Sequence, residues 1–244
     1  MISTAQLSVV TPAIQLGTGA LTLETGYRHQ KFNHGSVFGS NRKLHNDLDF
    51  DVSTIFAKGY YQLNDDWSFQ LGVDYNRIMN TANPTFAGFT VVSPKYKEIY
   101  AEVVPSLSAN RRFMIDEVSA VNVTVGTAVH YTNADDFTAQ TGQNDRIDET
   151  LTVSYTRQVC SKTTVQPFYQ ARFTQYLLGH RKDITQTLGV VVGYRFNEWS
   201  SARLYTSFED RQTSLPGSLP FGAGEGKEYQ KWDLGLGGTL SFQF

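Results

Sequence analysis

Residues 184–196 read ITQTLGVVVGYRF, and their side chains divide by parity. Ile184, Gln186, Leu188, Val190, Val192, Tyr194 and Phe196 fall on one side, with Thr185, Thr187, Gly189, Val191, Gly193 and Arg195 on the other. Successive side chains of a strand point to opposite faces, so this stretch predicts a strand with one apolar and one small or polar face. The same alternation runs through 67–76 (Trp67, Phe69, Leu71, Val73, Tyr75), through 121–131 and through the last residues, WDLGLGGTLSFQF, from Trp232 to Phe244. It recurs less cleanly over 20–32, 47–63, 96–109, 149–160, 163–178 and 201–213, so ten strands are predicted and no stretch of period 3.6 competes with them.

The connections set the topology. Short turns are predicted at 63–66, 160–162 and 197–200, with a longer one from Asn110 to Glu117. Longer polar loops fall at 33–46, 80–95, 132–147 and 214–227, and a short one near Gly179–Lys182. A parallel crossover needs about a dozen residues or more, so strands joined by such short turns are antiparallel neighbours. The expectation is an all-β, up-and-down meander with short turns at one end and long loops at the other.

A ten-stranded meander with one apolar face closes as a soluble barrel with that face inside, or as a membrane barrel with it outside. The opposite face decides between them. It carries Glu24, Arg28, Asp49, Asp51, Asp74, Glu98, Glu102, His130, Arg172, Arg195, Arg203, Glu209, Lys231 and Asp233 among many Gly, Ser and Thr. Small residues interspersed with charges suit a restricted polar lumen, whereas the outer wall of a soluble barrel is richer in Lys and Glu. Charged residues are only 18 % of the chain, and the net charge of −2 gives no general attraction for nucleic acid. Apolar runs such as LGVVVGY are far too short for a membrane-spanning helix.

Strand length agrees with the membrane solution. From Trp232 to Phe244 a strand rises roughly 40 Å, and a tilt of about 40° brings this to roughly 30 Å, near the thickness of the apolar band with its aromatic girdles. Trp67, Phe196 and Phe244 lie at the short-turn end, and Tyr75, Tyr131 and Trp232 near the loops, as two belts of amphipathic rings at the two interfaces.

With its alternating segments, short turns opposite long loops and terminal aromatic strand Trp232–Phe244, the chain resembles the bacterial outer-membrane β-barrels, of the porin-like class, over residues 18–244. The resemblance implies a closed transmembrane barrel with periplasmic termini and contact with outer-membrane lipid. It also implies that the terminal strand is read by the barrel-assembly machinery. In residues 1–17, AQLSVV reads as a further strand, a lumenal plug or a periplasmic tail; an eleventh strand would break the even count, so a periplasmic tail or a lumenal plug is expected. These residues lack the basic start and long apolar core of a secretory signal, and read as the beginning of a mature chain behind an added Met1. Cys160 stands alone and reads as a packing residue.

The predicted lumen charges are unevenly placed. The first four strands supply Glu24, Asp49, Asp51, Asp74, Glu98 and Glu102 against Arg28, and the last four supply Arg172, Arg195, Arg203 and Lys231 against Glu209 and Asp233. One reading is a narrow passive pore whose transverse field orients polar solutes. Another is a closed barrel stiffened by salt bridges, acting as scaffold, receptor or adhesion barrel with another envelope protein as partner. Arg28, Glu24, Lys231 and Asp233 are expected to pair where the first and last strands meet. The omptin proteases also have ten strands and use acidic pairs with a His near the extracellular rim. Here Asp135-Asp136, His130, Glu209-Asp210 and His45 fall near that rim, but Arg211 follows the second pair in place of the Asp-x-His arrangement. No Ser-His-acid set of the kind used by lipid-modifying barrels stands out along the chain. His29, His34 and His45 have no metal-ligand spacing, and no cofactor is implied.

Overall fold

The computed structural model describes residues 2–32, 50–80, 85–86, 89–90, 98–133, 145–177, 181–214 and 229–240. All ten predicted strands are present. They are β3 (Gly19–Phe32), β4 (Phe50–Gln62), β5 (Trp67–Asn80), β8 (Glu98–Asp116), β9 (Ser119–Thr132), β10 (Arg146–Cys160), β11 (Thr163–Tyr176), β12 (Lys182–Arg195), β13 (Ser200–Thr213) and β14 (Tyr229–Leu240). Residues 1–17, expected as a tail or plug, instead contribute β1 (Ile2–Val10) and the short β2 (Ile14–Leu16), both antiparallel to β3. A small hairpin of β6 (Thr85–Phe86) and β7 (Phe89–Thr90) completes the described strands. The main sheet has the hydrogen-bonded order β1-β3-β4-β5-β8-β9-β10-β11-β12-β13-β14, with β2 also on β3. No described helix is long and apolar enough to cross a membrane.

Two compact units are distinguished by their internal contacts. The first comprises Met1–Tyr61, Gln70–Ser106 and Val129–Asp145; the second comprises Gln62–Phe69, Leu107–Ala128 and Arg146–Phe244.

In the first unit β1 runs in strict register along β3, from Ile2 opposite Phe32 to Val10 opposite Glu24. The chain reverses from β2 into β3 at Gly17, whose φ of 64° lies in the left-handed region where a Cβ is penalised. Parity sorts the side chains as expected on β3 and β5: Leu23, Tyr27, Leu71, Val73 and Tyr75 are exposed, while Glu24, Arg28 and Asp74 occupy the other face.

The second unit holds the short turns. Asn64 Oδ1 accepts from the backbone N–H groups of Asp66 and Trp67, and Asn197 Oδ1 accepts from Trp199 N–H and Ser200 Oγ. These Asx turns satisfy the backbone locally, which explains why Asn leads both reversals. The predicted turn from Asn110 to Glu117 is corrected: β8 continues to Asp116 and β9 starts at Ser119. Arg112 N donates to Asp66 O, and the Arg111 guanidinium lies 5.2 Å from the Trp67 ring centre and 4.6 Å from that of Phe113. Cation–π contact on top of backbone pairing therefore holds extended a segment whose polar composition suggested a loop. From β10 to β14 each strand pairs in continuous antiparallel register with the next, apart from one irregularity between Gln158 and Cys160. Tyr205 lies across Gly235, its cross-strand partner, with ring atoms where a Cβ would sit.

Candidate functional site

Each unit gathers a set of charged residues on the polar face, and the two sets differ in kind. In the first unit the carboxylates are held in a hydrogen-bonded series. Thr54 Oγ1 donates to Asn76 Oδ1 at 2.7 Å, Asn76 Nδ2 donates to Glu102 Oε1 at 2.9 Å, and His130 Nδ1 lies 3.2 Å from Glu102 Oε2. Arg28 Nη2 meets Asp74 Oδ2 at 3.3 Å, and Tyr60 donates to Glu24 at 2.9 Å. At the loop end Arg77 Nε and Asn133 Nδ2 both bond Glu98, at 2.8 and 3.4 Å. Of these carboxylates Glu102 is buried, and both its oxygens are engaged, as a carboxylate removed from water requires.

The second unit contains one tight ionic knot. Arg181 grips Asp183 with two bonds of 3.0 and 2.8 Å, Arg211 bonds the same carboxylate, and the Arg181 guanidinium lies 4.3 Å from the Tyr176 ring centre. Asp183 is only 1 % exposed and Arg181 7 %. Lys231 reaches both Glu209 and Asp233 at 3.3 Å.

Arg146 lies 3.9 Å from Asp148 on the same face, but other cations there are different. Arg195 and Arg203 are exposed, and with Lys162, Ser161, Thr164 and Gly193 they line a cavity of about 240 Å³ at the short-turn end. Arg195 touches the Ser161 carbonyl at 3.4 Å, and Lys162 the Phe196 carbonyl at 3.3 Å. Among the described residues Arg172, Arg195 and Arg203 have no carboxylate partner.

Of the residues expected in the lumen, Glu24, Arg28, Asp74, Glu98, Glu102, His130, Arg172, Arg195, Arg203, Glu209, Lys231 and Asp233 all share the polar parity of their strands. Asp51 does not. On β4 the exposed apolar residues are Ile55 and Ala57, of the same parity as Asp51, while Thr54 and Tyr60 join the polar network. Asp51 therefore lies on the apolar face, where its Oδ2 is 3.5 Å from His29 Nε2. Within their own units Arg28 meets Asp74, Glu24 meets Tyr60, and Lys231 meets Glu209 and Asp233. Strand β3 is flanked by β1, so it is not the first strand of the sheet. Of the aromatic residues assigned to the apolar face, Tyr75, Tyr131, Phe196 and Trp232 are exposed there and Trp67 partly so. Asp49, Asp135, Asp136, His34, His45 and Phe244 lie outside the described residues.

The sequence reading also missed a cluster. His29 Nδ1 lies 3.3 Å from Ser53 Oγ, Tyr27 donates to the same Oγ at 3.0 Å, and Asp51 flanks the imidazole on its other nitrogen. The one signal available was an ionisable His29 at an apolar-face position, since polar residues on a lipid-facing wall are costly.

No family model matches the sequence, and no curated protein matches it. Among solved structures, the β-domain of the Bordetella autotransporter BrkA is similar at 15 % identity and a TM-score of 0.59, covering 99 % of this chain and 91 % of that one. A loop-deletion variant of OmpT, an outer-membrane protein of Vibrio cholerae, is similar at 14 % identity and a TM-score of 0.47, and this chain spans 62 % of its length. A variant of the monoaromatic hydrocarbon channel TodX follows at 14 % identity and a TM-score of 0.45, covering 98 % of this chain and 73 % of that one. Antiparallel neighbours in chain order, strands with one apolar and one polar face, and the likeness to the BrkA β-domain agree: this chain has the fold of the bacterial outer-membrane β-barrels.

Proposed function

We propose that the protein is an integral barrel of the bacterial outer membrane, with short turns and termini in the periplasm, that provides a narrow passive passage for small polar solutes and favours anions. The observation carrying this reading is the set of exposed arginines, Arg195 and Arg203, beside a cavity on the polar face, with no carboxylate partner among the described residues. Uncompensated guanidinium groups are stable only in contact with water, so this part of the polar face is wet. In a narrow aqueous path with low-dielectric walls, fixed positive charge concentrates anions.

The experiment is conductance in a planar bilayer. The wild-type protein is expected to open stepwise conductances with a reversal potential on the anion-selective side. Arg195→Ala with Arg203→Ala should move that potential toward cations, lowering the anion-to-cation permeability ratio by about twofold or more. A silent bilayer would sink the pore. It would favour instead a closed structural barrel, which the fully partnered series Thr54–Asn76–Glu102–His130 supports, because such networks stiffen an interior.

A further inference from the structure

We propose that His29, Ser53 and Asp51 form an acyl-ester hydrolase site on the apolar face, with the fatty acyl ester of a membrane lipid as substrate. The three residues come from neighbouring segments of β3 and β4 and share the parity of Leu23, Tyr27 and Ile55. Two strands thus place a hydroxyl, an imidazole and a carboxylate in one row.

The row has the order that nucleophilic catalysis requires. Ser53 Oγ is 3.3 Å from His29 Nδ1, and Asp51 Oδ2 is 3.5 Å from His29 Nε2. With the proton on Nε2, the imidazole accepts from Ser53 at one nitrogen and presents N–H to Asp51 at the other. This is a nucleophile next to a base, and a base oriented by a third group. Asp51 is only 7 % exposed, its Oδ1 has no hydrogen-bond partner among the described residues, and the His29 imidazole is the cationic-capable group beside it. Tyr27 donates to Ser53 Oγ at 3.0 Å, which supports developing negative charge there. Access is open: the residue opposite His29 on β1 is Ala5, and the imidazole is 40 % exposed.

The substrate class follows from the position. On the first unit Tyr27, Tyr75 and Tyr131 are exposed apolar-face aromatics at the loop ends of β3, β5 and β9, and such rings settle at the headgroup level of a bilayer. Lipid ester bonds lie at that depth, with their acyl chains running down the apolar face past Leu23 and Ile55. This placement rests on the membrane reading above but not on the pore, so a silent bilayer leaves it standing.

In the reaction Ser53 Oγ bonds to the ester carbonyl carbon as its proton passes to His29 Nδ1. The carbonyl–oxygen bond to the leaving alcohol breaks as His29 returns that proton to the alcohol oxygen. Water then adds to the Ser53 acyl ester, giving its proton to His29. Free fatty acid leaves, and Ser53 recovers its hydroxyl.

The test uses the full chain refolded in detergent, with folding checked by heat-modifiable migration. A fluorophosphonate probe is expected to label the wild-type protein, with the modified peptide mapping to Ser53. Acyl release is then measured from diacyl-glycerophospholipid vesicles and, separately, from an acylated glycolipid. Release from either supports the site and identifies its source; release from neither overturns it. Ser53→Ala and His29→Ala should each lower the rate about 100-fold or more. Asp51→Asn, a change at a positioning residue, should lower kcat about 10-fold or more with KM unchanged. Absence of probe on folded wild-type protein, or its attachment elsewhere than Ser53, overturns the assignment whether or not the variants fold.

Discussion

Asp183→Ala should lower the unfolding free energy by about 3–5 kcal/mol, the cost of removing one partner from a buried ion pair. The wild-type carboxylate receives two bonds from Arg181 and one from Arg211, and Asp183 and Arg181 are almost fully buried. Removing it leaves two guanidinium groups facing each other, one of them shielded from water and stacked on Tyr176. The penalty is therefore that of stranded charge more than of lost attraction. Urea unfolding of the protein in lipid vesicles, followed by tryptophan fluorescence, measures it. Adding Arg181→Met should recover a large part of the loss, because the methionine fills similar volume without the charge. A single Asp183→Ala change within about 1 kcal/mol of wild type would mean that water reaches Arg181 and that the knot is a surface feature.

The strands were legible because their polarity alternates. Period two survives in β5, β9, β12 and β14 without any knowledge of neighbours, and the Asn-led turns at 64 and 197 mark the reversals. What local pattern could not reveal is pairing. The stretch that forms β1 alternates Ala5, Leu7 and Val9 with Gln6 and Ser8, which allows a strand, but an even strand count argues against an eleventh; the pairing with β3 decides it. The tail of β8 is likewise held by Trp67 and Asp66, which are far away in sequence.

Strand β4 shows how parity can mislead. Its odd positions begin polar, with Asp51 and Ser53, and continue apolar, with Ile55 and Ala57. The polar start suggests the lumen for Asp51; the exposure of Ile55 and Ala57 puts the row on the apolar face. Phe56 compounds the ambiguity. It is a buried aromatic on the polar face, with Lys58 Nζ 5.1 Å from its ring centre. The Ser53–His29–Asp51 row was invisible for the same reason: the adjacency of β4 and β3 brings together residues 24 positions apart, and nothing in their local sequence announces it.

Leu236→Arg should cost about 2–4 kcal/mol, the penalty for a cation near the bilayer midplane on the lipid-facing wall of a barrel. Leu236 is 81 % exposed, opposite Leu204 on β13, and lies on the same face as Leu234 and Trp232. Such a row of bare aliphatic side chains calls for an apolar surrounding, which lipid hydrocarbon supplies. Gly237, one residue on, points to the other face, where a Cβ would meet nothing within 4 Å. Gly237→Arg is thus the matched control, with the same charge added at nearly the same depth and its guanidinium on the polar side. The two variants should separate by about 2 kcal/mol or more in vesicle unfolding. Depth is tested by Gln230→Arg, near the start of β14, which should cost only about 0–1 kcal/mol because the charge reaches the interface. If Leu236→Arg folds into vesicles at unchanged stability while Gly237→Arg does not, the exposed leucines face a protein interior or partner, and the membrane placement of this sheet is inverted.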